Sequence, residues 1–161
     1  AGARALHLRR ILVMALVRAA ETAVLTGDEE TARELVRELL ALLAEIGSRR
    51  WVADTVELAA LVLEAGGQPQ PATRLMGACD AIRSALGEPA GGLRALAPTV
   101  QACHERLMAT LGEAACAEQE TIGAGLSIER AIAYALEWLE PPGGASVLEA
   151  AAPTGEPLRQ P

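Results

Sequence analysis

Apolar residues recur along the chain at helical spacing, and the arrangement comes round twice. Leu35, Leu39, Leu42 and Ile46 fall at i, i+4, i+7 and i+11, while Arg33, Glu34, Arg37, Glu38 and Glu45 lie on the other side. This spacing predicts an amphipathic helix with one buried stripe. Asp28 stands before it as a good N-cap, Glu29 and Glu30 favour the positive end of the helix dipole, and Gly47 ends it. Upstream, residues from about Ala5 to Leu25 form a second predicted helix. It stops near Gly27, whose missing Cβ lets the chain leave the helix through positive φ. The scheme then returns with a helix from about Arg50 to Glu64, a Gly66-Gly67 turn and a helix from about Pro71 to Leu86. Leu75, Cys79, Ile82 and Leu86 carry its buried stripe.

A shift of 40 residues superposes Arg9-Arg10 on Arg49-Arg50, Ala19-Ala20 on Ala59-Ala60, Gly27 on Gly67, Ala32 on Ala72, Leu35 on Leu75, Ala41 on Ala81 and Gly47 on Gly87. The identities fall at turns and on one helix face, which is where a structural repeat must keep them. Leu16 with Val56, Val36 with Met76, Leu42 with Ile82 and Ile46 with Leu86 fill the same pattern. Beyond Gly87, the Pro- and Gly-rich segment Glu88 to Pro98 reads as a loop. A fifth helix is predicted from about Thr99 to Leu111 and a short sixth around Glu113 to Ile122. Ser127 then caps a last helix from Ile128 to Glu140, with Ile128, Ile132, Leu136 and Leu139 facing inward. The expected fold class is all-α, built of antiparallel helix-hairpin repeats with about six to seven helices. Units at about 7–47 and 47–87 and a divergent capping region at 98–140 make one domain, 1–140, followed by a flexible tail at 141–161.

Composition agrees with helix, since 34 Ala and 24 Leu stand among 161 residues with no Phe, one Tyr and two Trp. All 14 basic residues are Arg, and Asn is absent too, a bias expected of a GC-rich bacterial genome. The net charge of -7 repels phosphate backbones and anionic headgroups, so direct nucleic-acid binding and membrane-surface binding are not expected. The longest apolar run, Ile11 to Val17, is closed by Arg18 far short of the roughly 20 residues that span a bilayer. The opening Ala1-Gly2-Ala3-Arg4 carries neither an initiator Met nor a signal-peptide pattern, so a piece of a longer chain is expected. Cys79, Cys103 and Cys116 are odd in number and unpaired in spacing, which fits small core residues in a reducing cytoplasm.

The turn Gly27-Asp28 followed by Ala32, and Gly67 followed by Ala72, resemble a tetratricopeptide repeat of the longer, MalT-like kind. Ala20 and Ala60 sit where that family lets its two helices approach closely, although Ala23 and Leu63 stand where a Tyr is common. Three further stretches are Arg74-Leu75-Met76-Gly77-Ala78-Cys79-Asp80-Ala81-Ile82-Arg83-Ser84-Ala85-Leu86-Gly87, Leu111-Gly112-Glu113-Ala114 and Leu126 to Leu136. In that order they are similar to the C-terminal end of bacterial signalling ATPases and of LuxR-type or AfsR-type transcriptional regulators. The likeness covers about residues 5 to 140. It implies a tetratricopeptide-like superhelix serving as sensor or docking arm, with a nucleotide-binding domain and often a DNA-binding or cyclase domain elsewhere in the parent. The chain itself has no Gly-x-x-x-x-Gly-Lys-Ser/Thr phosphate loop, and with no Lys it can have none.

No catalytic residues, metal ligands or cofactors are expected. His7 and His104 have no Cys, His or carboxylate at i+3 or i+4 to complete a metal pair, and adjacent Cys103 and His104 diverge by about 100° on a helix. Candidate binding residues come from the repeat alignment. Asp54, Glu57, Leu61 and Glu64 lie at i, i+3, i+7 and i+10, on the edge that lines the concave surface in tetratricopeptide arrays, and Glu21 is the equivalent of Leu61. Carboxylates around an apolar floor would grip a basic, partly apolar peptide or domain. The first helix differs, because Ile11, Leu12, Val13, Met14, Leu16 and Val17 leave almost no polar side. Such a helix needs neighbours on both sides, so a preceding repeat, another chain or self-association is expected there. The function expected is a non-catalytic protein-interaction or sensor module of a bacterial signalling regulator. Its partner is a protein, a peptide or another domain of the parent chain. The alternative is a small-ligand-binding helical receptor domain.

Overall fold

The computed structural model describes residues 2–88 and 92–141, so the predicted tail beyond residue 141 lies outside the described residues. Among them are seven α-helices and no strand: α1 (Gly2–Thr26), α2 (Glu29–Ile46), α3 (Val52–Ala65), α4 (Pro69–Ala85), α5 (Ala97–Leu111), α6 (Glu113–Ala124) and α7 (Ile128–Leu139). A single 3-10 turn at Arg94–Leu96 leads into α5. The protein is all-α, as its periodicity and composition require.

The two units repeat in backbone geometry as well as in sequence. Gly27 and Gly67 leave α1 and α3 at φ 73 and 75. In the next step Asp28 N–H donates to Ala23 O and Gln68 N–H to Leu63 O, each at 2.9 Å. These six-residue closures satisfy carbonyls that the helix end would otherwise orphan. Asp28 Oδ1 accepts from Thr31 N–H at 3.2 Å, and Ser127 Oγ accepts from Arg130 N–H at 3.2 Å, so both predicted caps form.

Two local expectations change. Pro98 lies in the first turn of α5 and not in the loop, because that turn has no use for the missing N–H. Helix α3 begins at Val52, since Trp51 sits at φ 70, the left-handed region, and cannot continue a helix. The buried faces are also turned slightly from the predicted ones. In α2 the deepest residues are Ala32, Val36, Leu39, Leu40 and Leu43, with Leu35, Leu42 and Ile46 on the flanks. In α7 they are Ala131, Ile132, Ala135 and Leu139, with Ile128 and Leu136 beside them.

Helix α3 lies in the centre, packed by α1, α2, α4, α5 and α7, and eleven of its residues, from Val52 to Leu63 apart from Asp54, are buried. Helix α4 packs most extensively on α3 and α6. The contact with α6 brings backbone onto backbone. A Cβ at Gly77 would overlap the main chain of Glu120, and one at Gly123 would overlap the carbonyl of Arg74. Arg74 closes this seam by donating to Gln119 Oε1 from Nε at 3.0 Å and from Nη2 at 2.7 Å. The chain then turns back, and α7 packs on α2, α3 and α4. Its end is tied to α2 by Arg33 Nη1 donating to Leu139 O at 3.2 Å and by the Arg37–Glu140 ion pair at 2.7 Å. No described helix is long and apolar enough to cross a membrane.

In an exposed helix, Gly→Ala gains about 1 kcal/mol from backbone entropy. At Gly77 and Gly123 the sign is expected to reverse. Gly77→Ala and Gly123→Ala should each lose about 1–3 kcal/mol or more in urea unfolding, because a methyl forces α4 and α6 apart. A gain at either position contradicts the close approach.

Candidate functional site

The five residues expected to line an open acidic edge lie on α1 and α3, but the fold engages each of them internally. Leu61 belongs to the apolar core. Glu57 and Glu21 are buried, and Asp54 and Glu64 are half-buried. Arg83 of α4 donates from Nη1 to Glu57 Oε1 at 3.3 Å and from Nη2 to Asp54 Oδ1 at 3.1 Å. Arg106 of α5 holds both oxygens of Glu64 at 2.7 Å, and Arg18 pairs with Glu21 at 2.6 Å. The row is thus not a free, unpaired edge, because α4 and α5 bring guanidinium groups onto it. Arg83 was within reach of sequence reading, since it stands four residues after Cys79 on the predicted buried stripe of α4. Arg106 carried no such mark.

The α3–α4 cluster has an internal tension. Arg83 is only 4% exposed, so its charge depends on Asp54 and Glu57 for compensation. Burial pushes the Glu57 carboxyl above its ordinary value, against the opposing pull of Arg83. Glu57 Oε2 has no hydrogen-bond partner among the described residues, and Gly92 passes over it so closely that a Cβ there would meet both Oε2 and Arg83 Nη2 at 2.5 Å. A shallow hollow of about 190 Å³, lined by Arg50, Trp51, Asp54, Arg83, Glu88 and Gly92, opens beside it. Cys79 Sγ lies 3.9 Å from Glu57 Oε1, and burial and then Glu57 push its thiol up. Burial and then Glu64 push Cys103 up to about 12. Both thiols are held protonated at neutral pH, the unreactive form. Among the described residues no three His, Cys, Asp or Glu are grouped to hold a metal ion. This cluster fastens α3 to α4.

The exposed apolar surface lies elsewhere. Helix α1 presents Leu6, Leu8, Ile11, Leu12 and Met14 to solvent, each 45 to 60% exposed. Under the 40-residue shift, Leu12, Ala15, Ala19 and Thr22 of α1 match Val52, Thr55, Ala59 and Val62 of α3. All four are buried on α3, which has the α1–α2 hairpin as a neighbour, and all four are exposed on α1. On the other face of α1, about half a turn from this flank, lies a groove of about 290 Å³ lined by Leu6, Arg10, Val13, Ile46, Ser48, Arg50 and Trp51.

Two measurements check the buried cluster. Arg83→Met leaves Asp54 and Glu57 without their counter-charge and should cost about 3–5 kcal/mol in unfolding free energy. The folded carboxyl of Glu57 binds its proton more tightly than the unfolded one, so its contribution to stability grows as pH falls from neutral towards 4.5 and fades as pH rises. Relative to Glu57→Gln, the native chain should therefore gain unfolding free energy on acidification through that window. The opposite slope means that the pull of Arg83 outweighs burial.

Comparison of the chain with protein-family models, with curated proteins and with solved structures gives no match.

Proposed function

We propose that the chain is a non-catalytic protein-interaction or sensor module of a bacterial signal-transduction ATPase or transcriptional regulator, active in the cytoplasm. It engages a protein, a peptide or another domain of its parent chain through the bare flank of α1. The observation that carries this reading is the contrast between α1 and α3. The same stripe of the repeat is covered on one helix and exposed on the other. A contiguous apolar stripe on an otherwise closed helical body is a surface for docking. The resemblance of residues 74–87, 111–114 and 126–136 to signalling ATPases and LuxR-type or AfsR-type regulators supports the regulatory setting. A small-ligand receptor would use the groove beside Trp51, but its volume of about 290 Å³ stands at the lower edge of the roughly 300–1,000 Å³ usual for ligand pockets.

Replacing Leu8, Ile11 and Leu12 by Gln should change unfolding free energy by less than about 1 kcal/mol, because all three are exposed. Helical peptides selected against the native chain from a displayed library should perturb amide resonances of α1 and lose binding to this triple variant. Selected peptides that map away from α1 and bind the variant unchanged overturn the reading.

A further inference from the structure

We infer that the groove between α1 and the 46–51 segment binds a small amphiphilic carboxylate, a molecule with a compact alkyl or aryl body and one acidic group. This site is separate from the bare flank of α1 and stands whether or not that flank docks a partner. Leu6, Val13, Ile46 and Trp51 give the groove an apolar floor, and the side chains of Arg10 and Arg50 are on its lining. Trp51 sits at φ 70, a strained backbone for a side-chain-bearing residue, and is half-buried on the groove wall. The Arg50 guanidinium lies 5.3 Å from the centroid of the Trp51 ring, an attraction that keeps the cation beside the floor. A volume of about 290 Å³ suits a ligand smaller than a drug-sized one. Leu8, Ile11, Leu12 and Ala15 lie about half a turn away round α1, so the groove does not run on into the flank and offers no path to an extended partner.

The internal repeat points to the missing group. Under the 40-residue shift Arg10 falls on Arg50 and Ser48 on Glu88, and Arg50 and Glu88 line the hollow beside Glu57. The two recesses are thus equivalent places in successive units. In the second unit the fold supplies its own carboxylates, with Asp54 and Glu88 on the lining and Asp54 and Glu57 holding Arg83. In the first unit Met14, Val17 and Leu43 take the places of Asp54, Glu57 and Arg83, and Ser48 that of Glu88. That recess keeps its outer cations over an apolar floor, and its described lining includes no Asp or Glu. Arg9 is turned to Glu45 at 3.1 Å, whereas among the described residues neither Arg10 nor Arg50 pairs with a carboxylate. A ligand carboxylate supplies in the first unit the charge that side chains supply in the second, and apolar surroundings strengthen its hydrogen bonds to guanidinium. The floor requires an apolar body on the same molecule. The chain as a whole, at net charge -7, repels such a ligand, so it collects at the cationic recess.

Trp138→Phe leaves Trp51 as the sole tryptophan, so its emission reports directly on the groove. Octanoate should shift that emission saturably and bind at least about tenfold more tightly than octylamine, which has the same chain length and the opposite charge. Acetate should give no shift, because it has nothing to lay on the floor. Arg10→Gln with Arg50→Gln, both at exposed positions, should weaken octanoate about tenfold, with circular dichroism confirming the fold. Leu8→Gln with Ile11→Gln and Leu12→Gln should leave octanoate binding unchanged, which separates the groove from the flank. Equal binding of octanoate and octylamine, or octanoate binding that survives the double Gln variant intact, overturns the inference. So does a Trp51 emission that octanoate leaves unaltered at every concentration below micelle formation. Tighter binding of octyl phosphate than of octanoate overturns the carboxylate as the ligand class, and loss of octanoate binding in the flank variant moves the site out of the groove and overturns it as well.

Discussion

The fold turns on the place where α4 and α6 touch without side chains between them. Gly77 and Gly123 leave room for the opposing main chain, so the two helices lie closer than any pair separated by Leu could. That approach brings α6 onto α4, and the Gly125–Ser127 turn then sends α7 back across α2, α3 and α4. With α7 in place, the centre of the molecule is covered, and Leu139 and the side chain of Glu140 reach Arg33 and Arg37 on the first hairpin. The last helix thus ties the first hairpin to the second.

Polar groups inside this body serve placement more than stability. A buried Arg83 between Asp54 and Glu57 offsets its desolvation only because both carboxylates are near, and such clusters rarely stabilise more than an apolar replacement of equal volume. What they do is penalise any arrangement that separates the charges. The α3–α4 pairing is therefore fixed at two or three atoms, whereas the Ala-rich stripes alone would tolerate some sliding. The raised carboxyl of Glu57 is the residual cost of that arrangement.

The internal repeat supplies its own reference for the exposed flank. Helix α3 shows what this helix looks like with neighbours on every side, and α1 shows the same stripe with one side bare. The difference lies in surroundings and not in residue type, since Leu12 is as apolar as Val52 and Ala19 is identical to Ala59.

The amino-acid sequence by itself determined the helices, their hairpin turns and their period. Those depend on interactions within a few residues: Gly27 and Gly67 at positive φ, Asp28 and Ser127 as caps, and apolar spacing of 3.6. It also marked α1 as apolar on nearly every side, because that is a local property of the helix. Only the tertiary structure decided the fate of Asp54, Glu57 and Glu64, since their status depends on whether Arg83 and Arg106 reach them. Those partners lie 26 to 42 residues away from the carboxylates they hold, beyond anything a helical wheel can show. The same holds for the return of α7, because the seating of Gly77 on the main chain of Glu120 and of Gly123 on that of Arg74 is a fact about two backbones in space. Spacing along one helix fixes which way a side chain faces, and packing between helices fixes what it meets there.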